Sequence, residues 1–250
     1  MSYFEISVGT LSRGLNPVDV LVDTAPVLFD EEGLQIQTVD ESNVAAVGMH
    51  LSPEAFDEYD TDSVELHLDI KQLTQILTRF DNDSTAIVQY AKDNGQDLTL
   101  SIGSFEFDLS PIHPESVRSG RKAGDVDPPA EIVIEAGEVQ KAVKLADMFS
   151  DELILGIDAS RSVFYINSIG DSDNMAVSFT EDHDSVDRID LRSAHGTYSR
   201  QYLKKMTKFV PQSDSLHIEL GEEYPAKLSF GSPKQEGQIT YGLAPRVNEY

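Results

Sequence analysis

Apolar and polar residues alternate along the chain with two different periods. Apolar residues recur every three to four positions in four windows, 9–22, 69–80, 137–149 and 198–210, and this spacing predicts amphipathic helices. Between them lie short alternating or β-branched runs, which predict strands at 33–39, 97–102, 105–109, 130–135 and 216–220. Strands therefore predominate, with helices interspersed, and the predicted fold class is α+β.

The helical windows are spaced as if one unit occurred twice. The first two begin at residues 9 and 69, and the last two at 137 and 198. Between the halves, the segment from Ser110 to Pro129 contains four prolines and no apolar periodicity, which is typical of an extended connector. The predicted organisation is an N-terminal domain over 1–109, a connector over 110–129 and a C-terminal domain over 130–250.

Composition is that of a globular protein, with 250 residues of which 40% are hydrophobic and none is cysteine. No run approaches the roughly 20 apolar residues that span a bilayer, so we expect a soluble cytoplasmic protein with no membrane association. The net charge of -25 is harder to interpret. It fits either an acidic protein that avoids nucleic acid or a protein of a salty cytoplasm, where at 1 M salt the Debye length is only about 3 Å.

The distribution of charge favours the second explanation. Acidic residues are spread along the chain, whereas the helical windows hold nine basic residues and four acidic ones. On the last window, Leu203 and Met206 fall on one arc with Tyr198, Tyr202, Phe209 and Val210, opposite Arg200, Lys204 and Lys208. The nine basic residues of the four windows are Arg13, Lys71, Arg79, Lys141, Lys144, Arg200, Lys204, Lys205 and Lys208.

Solvated helix faces commonly carry Lys and Arg, so a single such helix would indicate little. Four together in so acidic a chain favour contact with a polyanion through its phosphates rather than its bases. No aromatic residue interleaves with the cations, which argues against binding of single strands by base stacking.

Candidate catalytic and metal-binding patterns are weak. Asp182-His183-Asp184 could be read as metal ligands, but adjacent acids and histidine are expected by chance among 44 acidic residues. No phosphate-binding loop and no nucleophile motif occurs. We therefore expect a protein that is not an enzyme, with no catalytic residue, no metal and no cofactor.

Several segments together resemble the proliferating cell nuclear antigen (PCNA) type of DNA sliding clamp, in the style of halophilic archaea. The strongest match runs from Gly33 to Val44 as GLQIQTVDESNV and continues in Phe56-Asp57-Glu58-Tyr59. Further matches are Tyr202 to Lys208, as YLKKMTK, and Leu243 to Val247, as LAPRV. Ordered matches extend over the whole chain.

The resemblance implies two similar clamp domains, each with two helices packed on antiparallel β-sheets. Three subunits would close head to tail into a homotrimeric ring around double-stranded DNA, with the basic helix residues facing the duplex. By similarity, the ring closes through edge strands near 105–109 and 175–179. The implied interface residues are Phe105, Phe107, Leu109, Met175, Val177 and Phe179.

The resemblance also implies partners in replication and repair. DNA polymerase, a nuclease, a ligase and a clamp loader would be tethered, and clients would dock short peptides beneath the connector. The implied pocket residues are Val39, Asn43, Val44, Ala46, Val126, Pro225, Leu243, Ala244, Pro245, Arg246 and Val247. The protein would then be a processivity factor associated with the nucleoid in a high-salt cytoplasm.

Three features depart from the family pattern. Pro17 interrupts the first helical window, so we expect a helix that starts late or is kinked. Gln75 and Thr78 stand at positions that are basic in other clamps. The connector is unusually basic and matches poorly. The alternative interpretation is an acidic protein-binding scaffold, or a DNA mimic, that does not encircle DNA.

Overall fold

The computed structural model describes residues 2–91, 98–113, 127–190, 192–222, 224–232 and 237–246. They form two compact units, one within 1–122 together with 231–239, the other within 123–230 together with 240–250. The sequence-based division did not assign 231–239 to the first part. Within the described ranges, no helix is long and apolar enough to cross a membrane.

The first unit contains two helices and two groups of hydrogen-bonded strands. One group has the order β5-β1-β7-β8-β9 and the other contains β4-β3-β2-β6. The strands are β1 (Ser2–Ser7), β2 (Thr24–Asp30), β3 (Gly33–Val39), β4 (Ala45–Leu51), β5 (Glu58–Asp60), β6 (Val64–Asp69), β7 (Thr85–Tyr90), β8 (Leu98–Ile102) and β9 (Phe105–Leu109). The helices are α1 (Val8–Asp19) and α2 (Ile70–Leu77).

The second unit repeats this plan. One group of strands contains β14-β10-β16-β17 and the other has the order β13-β12-β11-β15. The strands are β10 (Ala130–Glu135), β11 (Glu152–Asp158), β12 (Val163–Ile169), β13 (Asn174–Thr180), β14 (Val186–Ile189), β15 (Ala194–Ser199), β16 (Ser215–Leu220) and β17 (Ala226–Ser232), and β18 (Gly237–Leu243) lies beside β17. The helices are α3 (Ala136–Leu145) and α4 (Arg200–Thr207).

In the described part of the chain, the four α-helices each begin on the residue that follows the end of a strand, after β1, β6, β10 and β15. The start of each unit's first helix is fixed in the same way. The amide of Gly9 donates to the carbonyl of Asn82 at 2.9 Å, and the amide of Gly137 donates to that of Gln212 at 2.9 Å. A Cβ at either glycine would lie 3.1 Å from that carbonyl oxygen, so the close approach favours a residue without a side chain. The two units are therefore structural duplicates, as the helix spacing predicted.

The helix predictions are confirmed with shifted ends. The apolar residues of both windows are buried: Val139, Ala142 and Val143 on α3 with Ala146 after it, and Leu203 and Met206 on α4 with Val210 after it. Phe209 was expected on the packed arc of α4, but it is 37% exposed. Pro17 was expected to delay the start of the first helix or to kink it, and the late start is wrong, because α1 begins at Val8 and includes Pro17. Ser7 caps α1 by accepting a hydrogen bond from the Thr10 amide.

Candidate functional site

The basic residues on the helices of the first unit are exposed and have polar partners nearby. Arg13 donates from Nη2 to the hydroxyl of Thr10 at 3.1 Å. The ammonium of Lys71 lies 3.1 Å from both carboxylate oxygens of Asp23, and this hydrogen bond raises the pKa of Lys71. Arg79 is exposed just beyond the end of α2. Gln75 and Thr78 are exposed beside these cations.

The second unit presents five exposed lysines on its two helices. Lys141 and Lys144 lie on α3, Lys204 and Lys205 lie on α4, and Lys208 follows α4 directly. The two helices are tied together by Gln140 on α3, whose side-chain amide donates to the carbonyls of Thr207 and Val210 at 2.7 and 2.8 Å. The lysines thus belong to one joined pair of helices.

Two aromatic rings lie beside these lysines, which corrects the expectation that none would. The Lys205 ammonium lies 5.8 Å from the centroid of the Tyr202 ring, and the Lys208 ammonium lies 4.7 Å from that of Phe209. Both distances are within the range of a cation–π contact. Tyr202 and Lys205 both lie on α4, whereas Lys208 and Phe209 follow its end, so each aromatic ring is close to an ammonium near it in sequence.

Arg200 does not belong to the exposed set, and its assignment to a DNA-facing surface is corrected. It is 7% exposed, and its guanidinium lies 2.5 Å from the Asp147 carboxylate and 2.9 Å from that of Asp151. Nε also donates to the carbonyl of Ser150 at 2.9 Å. Arg200 therefore ties the start of α4 to the segment that follows α3, and its charge is neutralised locally.

The two strands assigned to a subunit interface are both edge strands. In the first unit β9 is the last strand of its sheet, and in the second unit β13 is the last strand of its own. Phe105 is 58% exposed, and Phe107, Met175 and Val177 are partly exposed. Leu109 and Phe179 are 9% and 2% exposed, so their side chains belong to the core of their own units and offer little surface. Each strand nevertheless has one backbone edge that no other described strand pairs with.

Further apolar side chains near these edges were not predicted. Phe80 contacts the rings of Phe105 and Phe107, at centroid distances of 5.6 and 6.3 Å. Ile169, which pairs with Asn174 of β13, is 61% exposed, and Leu145 and Met148, at the end of α3 and directly after it, are 43% and 70% exposed. Leu145 lies four residues after Lys141, on the same side of α3, and a leucine on the polar face of a predicted helix is the signal that could have found it.

Four of the residues assigned to a partner-peptide pocket are brought together by the turn between β3 and β4. Val39 pairs with Ala46 in the ladder, and Asn43 and Val44 occupy the turn, where Asn43 has a left-handed φ of 55°. The turn is held by Asp40, which is 5% exposed and accepts hydrogen bonds from the amides of Val44 and Ala45, each at 2.8 Å. Asp40 was not predicted as a site residue, although an Asp before a short turn is a recognisable signal.

The remaining pocket residues lie in the second unit. Pro225, Ala244 and Pro245 are partly exposed, whereas Leu243 is fully buried and offers no surface. The chain after β18 is fixed by Arg246, whose amide donates to the carbonyl of Thr197 at 2.7 Å and whose guanidinium lies 3.1 Å from Glu152. Val126 and Val247 lie outside the described residues.

No cluster of three potential metal ligands occurs in the portion of the chain that the structure covers. His183, singled out in the sequence between two aspartates, accepts a hydrogen bond at Nδ1 from the Ser185 amide at 3.2 Å and packs its ring against Phe179. Its contacts are those of a residue that shapes a turn.

Comparison with known proteins identifies the family. The PCNA N-terminal domain profile matches residues 6–108. The chain is 36% identical to the DNA polymerase sliding clamps of Haloarcula marismortui and of Natronomonas pharaonis, over 97% of this chain and of each relative. The solved structure of A. fulgidus PCNA, to which the C-terminal region of FEN-1 is bound, is similar over 100% of both chains, with a TM-score of 0.91 and 27% identity. PCNA from Thermococcus kodakaraensis, at 18% identity and a TM-score of 0.88, has the same fold. The chain belongs to the family of PCNA-type DNA polymerase sliding clamps.

Proposed function

We propose that three copies of this chain close head to tail into a ring that encircles duplex DNA and tethers DNA polymerase and other replication and repair proteins. The observation that carries this proposal, beside membership of the family, is the gathering of exposed lysines on α3 and α4 in a chain whose net charge is -25. A cationic face retained on so acidic a protein fits a polyanion that is contacted without reading its sequence.

Ring closure would use the open edges of β9 and β13. A head-to-tail contact between two different surfaces generates a closed ring when the rotation per subunit divides a full turn. Each copy supplies one β9 and one β13, so every interface pairs the two unlike edges. The exposed Phe105 with Phe80 on one side, and Met148 with Ile169 on the other, would supply the apolar contact.

Retention on DNA would depend on topology rather than on affinity. Neutralising each phosphate contributes roughly -0.9 to the slope of log affinity against log salt, so in concentrated salt a lysine-lined surface holds DNA weakly. The acidic composition and the halophilic relatives support a working environment of that kind. A closed ring cannot leave a closed circle at any salt concentration, whereas it slides off an open end.

The proposal is tested by loading the protein onto nicked circular DNA, isolating the complex, and then linearising the DNA. We expect the protein to stay on the circle and to leave the linear form. Light scattering in concentrated salt should give a mass near three times 27.6 kDa. A monomer that leaves both DNA forms equally would instead support the acidic scaffold.

A triple charge reversal on the second unit should weaken function without opening the ring. For Lys204→Glu, Lys205→Glu and Lys208→Glu together, we expect at least about a tenfold loss of loading, because three phosphate-attracting groups become repulsive. The measurement is the amount of clamp recovered on circular DNA, with trimer mass as the control for assembly. Wild-type loading by an intact triple variant would contradict a DNA contact by α4. A control variant, Arg161→Glu in the exposed turn after β11, changes charge away from the helices and should load normally.

Client binding is proposed to use the turn between β3 and β4. Clients such as a polymerase, a nuclease, a ligase and the clamp loader would insert an apolar or aromatic anchor beside Val44, which is partly exposed in the turn held by Asp40. The A. fulgidus relative, to which the C-terminal region of FEN-1 is bound, supports the binding of a client's terminal segment.

The variant Val44→Asp should bind a FEN-1 C-terminal peptide at least about tenfold more weakly, because a carboxylate would be desolvated against an apolar anchor. Titration calorimetry measures the effect, and Val44→Thr, which nearly preserves shape, is the matched control with a smaller loss. Retention on circular DNA should be normal in both. Equal affinities for wild type and Val44→Asp would place the peptide elsewhere.

A further inference from the structure

The two units of the chain differ in how much positive charge their helices leave available. On the first unit, Lys71 is hydrogen-bonded to Asp23, and Asp19 and Asp69 also lie close enough to raise its pKa. Of the three cations assigned there, Lys71 thus lies near three carboxylates, Arg13 is hydrogen-bonded to the Thr10 hydroxyl, and Arg79 is exposed beyond the end of α2. A phosphate that approaches Lys71 would also approach Asp23, so the attraction is largely cancelled.

Among the described residues, the lysines on the helices of the second unit have no comparable compensation. Lys144, Lys204, Lys205 and Lys208 form no ion pair with any residue in the described ranges, and Lys141 is 4.0 Å from Glu138, at the limit of an ion pair. The acidic residues nearest the start of α4, Asp147 and Asp151, are both engaged by the buried Arg200. Arg200 therefore holds these two carboxylates at the start of α4.

The exposed residues that lie between the cations also differ between the first and the second unit. Between Lys71 and Arg79, the exposed positions on and directly after α2 are Gln72, Gln75 and Thr78, which can donate hydrogen bonds but carry no charge. Along α4 and its end, the exposed positions include Lys204, Lys205 and Lys208, and two of these ammoniums lie over aromatic rings that limit their conformational freedom. An ammonium whose position is already restricted loses less entropy when it binds a phosphate.

We infer that the helices of the second unit carry most of the phosphate contact in this clamp, while those of the first unit form a nearly neutral, polar lining. This inference rests on the proposed function, since it assigns roles within the DNA-contacting surface. Each subunit would then contribute one attractive and one nearly neutral segment, and the duplex would be attracted at one place per subunit rather than at two.

The test compares two triple variants that remove the same amount of charge. One carries Lys204→Gln, Lys205→Gln and Lys208→Gln, and the other carries Arg13→Gln, Lys71→Gln and Arg79→Gln. Affinity for a short fluorescent duplex is measured by anisotropy across the KCl range in which light scattering shows an intact trimer. We expect affinity to fall at least about tenfold in the first variant and less than about threefold in the second. Only the first should show a shallower salt dependence, by roughly 0.9 in the slope for each phosphate that is no longer neutralised.

A single substitution tests the cause of the difference. Asp23→Asn would release Lys71 from its carboxylate, and we expect tighter duplex binding and a steeper salt dependence, by roughly 0.9 in the slope for each additional phosphate that is neutralised. Unchanged binding in this variant, or equal losses of affinity in the two triple variants, would overturn the inference.

Failure of the inference is distinguishable from failure of the proposed function. If the wild-type protein stays on circular DNA but the two triple variants bind the duplex equally weakly, the protein is still a clamp, and both units share the phosphates evenly. If the wild-type protein does not stay on circular DNA, that result contradicts the proposed function and therefore also the inference.

Discussion

Phe105→Asp should convert the trimer into a monomer and abolish retention on circular DNA. The side chain is 58% exposed in the isolated chain, so the substitution is tolerated by the fold, but in the proposed ring it would place a carboxylate in an apolar contact. Light scattering in concentrated salt should then give 27.6 kDa rather than three times that mass. Glu106→Gln, one residue along β9 and on its other face, should remain trimeric.

The complementary substitution makes the head-to-tail arrangement directly testable. Ile169→Asp would damage the β13 side of the interface, where Ile169 is 61% exposed, and should also be monomeric. A mixture of the two variants retains one intact interface, formed by β13 of the Phe105→Asp chain and β9 of the Ile169→Asp chain. We therefore expect a dimer that cannot close into a ring. A mixture that stays monomeric, or a variant pair that forms trimers, would contradict pairing of the unlike edges.

The second large effect is expected at Arg200. Asp147→Asn together with Asp151→Asn would leave its buried guanidinium without a carboxylate, and we expect a loss of about 2–3 kcal/mol in the free energy of unfolding. Removing the partner of a fully buried charge costs about 3–5 kcal/mol, and the value is reduced here because both carboxylates are more than half exposed and screened by salt. Urea denaturation measures the difference.

The matched control for that variant is Asp190→Asn. Asp190 pairs with Arg192, whose side chain is 64% exposed, so the loss should stay below about 1 kcal/mol. The pair holds the pKa of the Asp190 carboxyl below its usual range, mainly through the hydrogen bond from Arg192. Similar losses for the two sites would indicate that burial of Arg200 adds nothing to the strength of its ion pairs.

Much of the fold could be predicted from sequence because its signals are local. Helix α4 was found from the spacing of Leu203, Met206 and Val210, and the strand from Gly33 to Val39 from its alternation. The edge positions of β9 and β13 do not follow from any local pattern, since the order of strands depends on pairings between distant segments. They entered the sequence analysis only through the family resemblance.

The candidate site was predicted less completely, again for physical reasons. Arg200 sits on the same arc as Lys204, so the pattern groups them, but its acidic partner Asp151 is 49 residues away in sequence. Phe209 was expected to pack because it falls on the apolar arc, yet it lies beyond the end of α4 and is 37% exposed, with the Lys208 ammonium 4.7 Å from its ring centroid. The helical periodicity predicts which residues share a face of the helix. It does not predict whether another segment of the chain covers that face.

The absence of any linker between each strand and the helix that follows it has a mechanical consequence. A helix whose first residue continues directly from a sheet cannot swing independently, so its backbone cannot adjust to irregularities in a passing molecule. Adaptation is left to the lysine side chains, whose four methylene groups let the ammonium follow a phosphate over several ångströms while the scaffold stays still. The backbone of this surface is therefore rigid, and its flexibility lies in the lysine side chains.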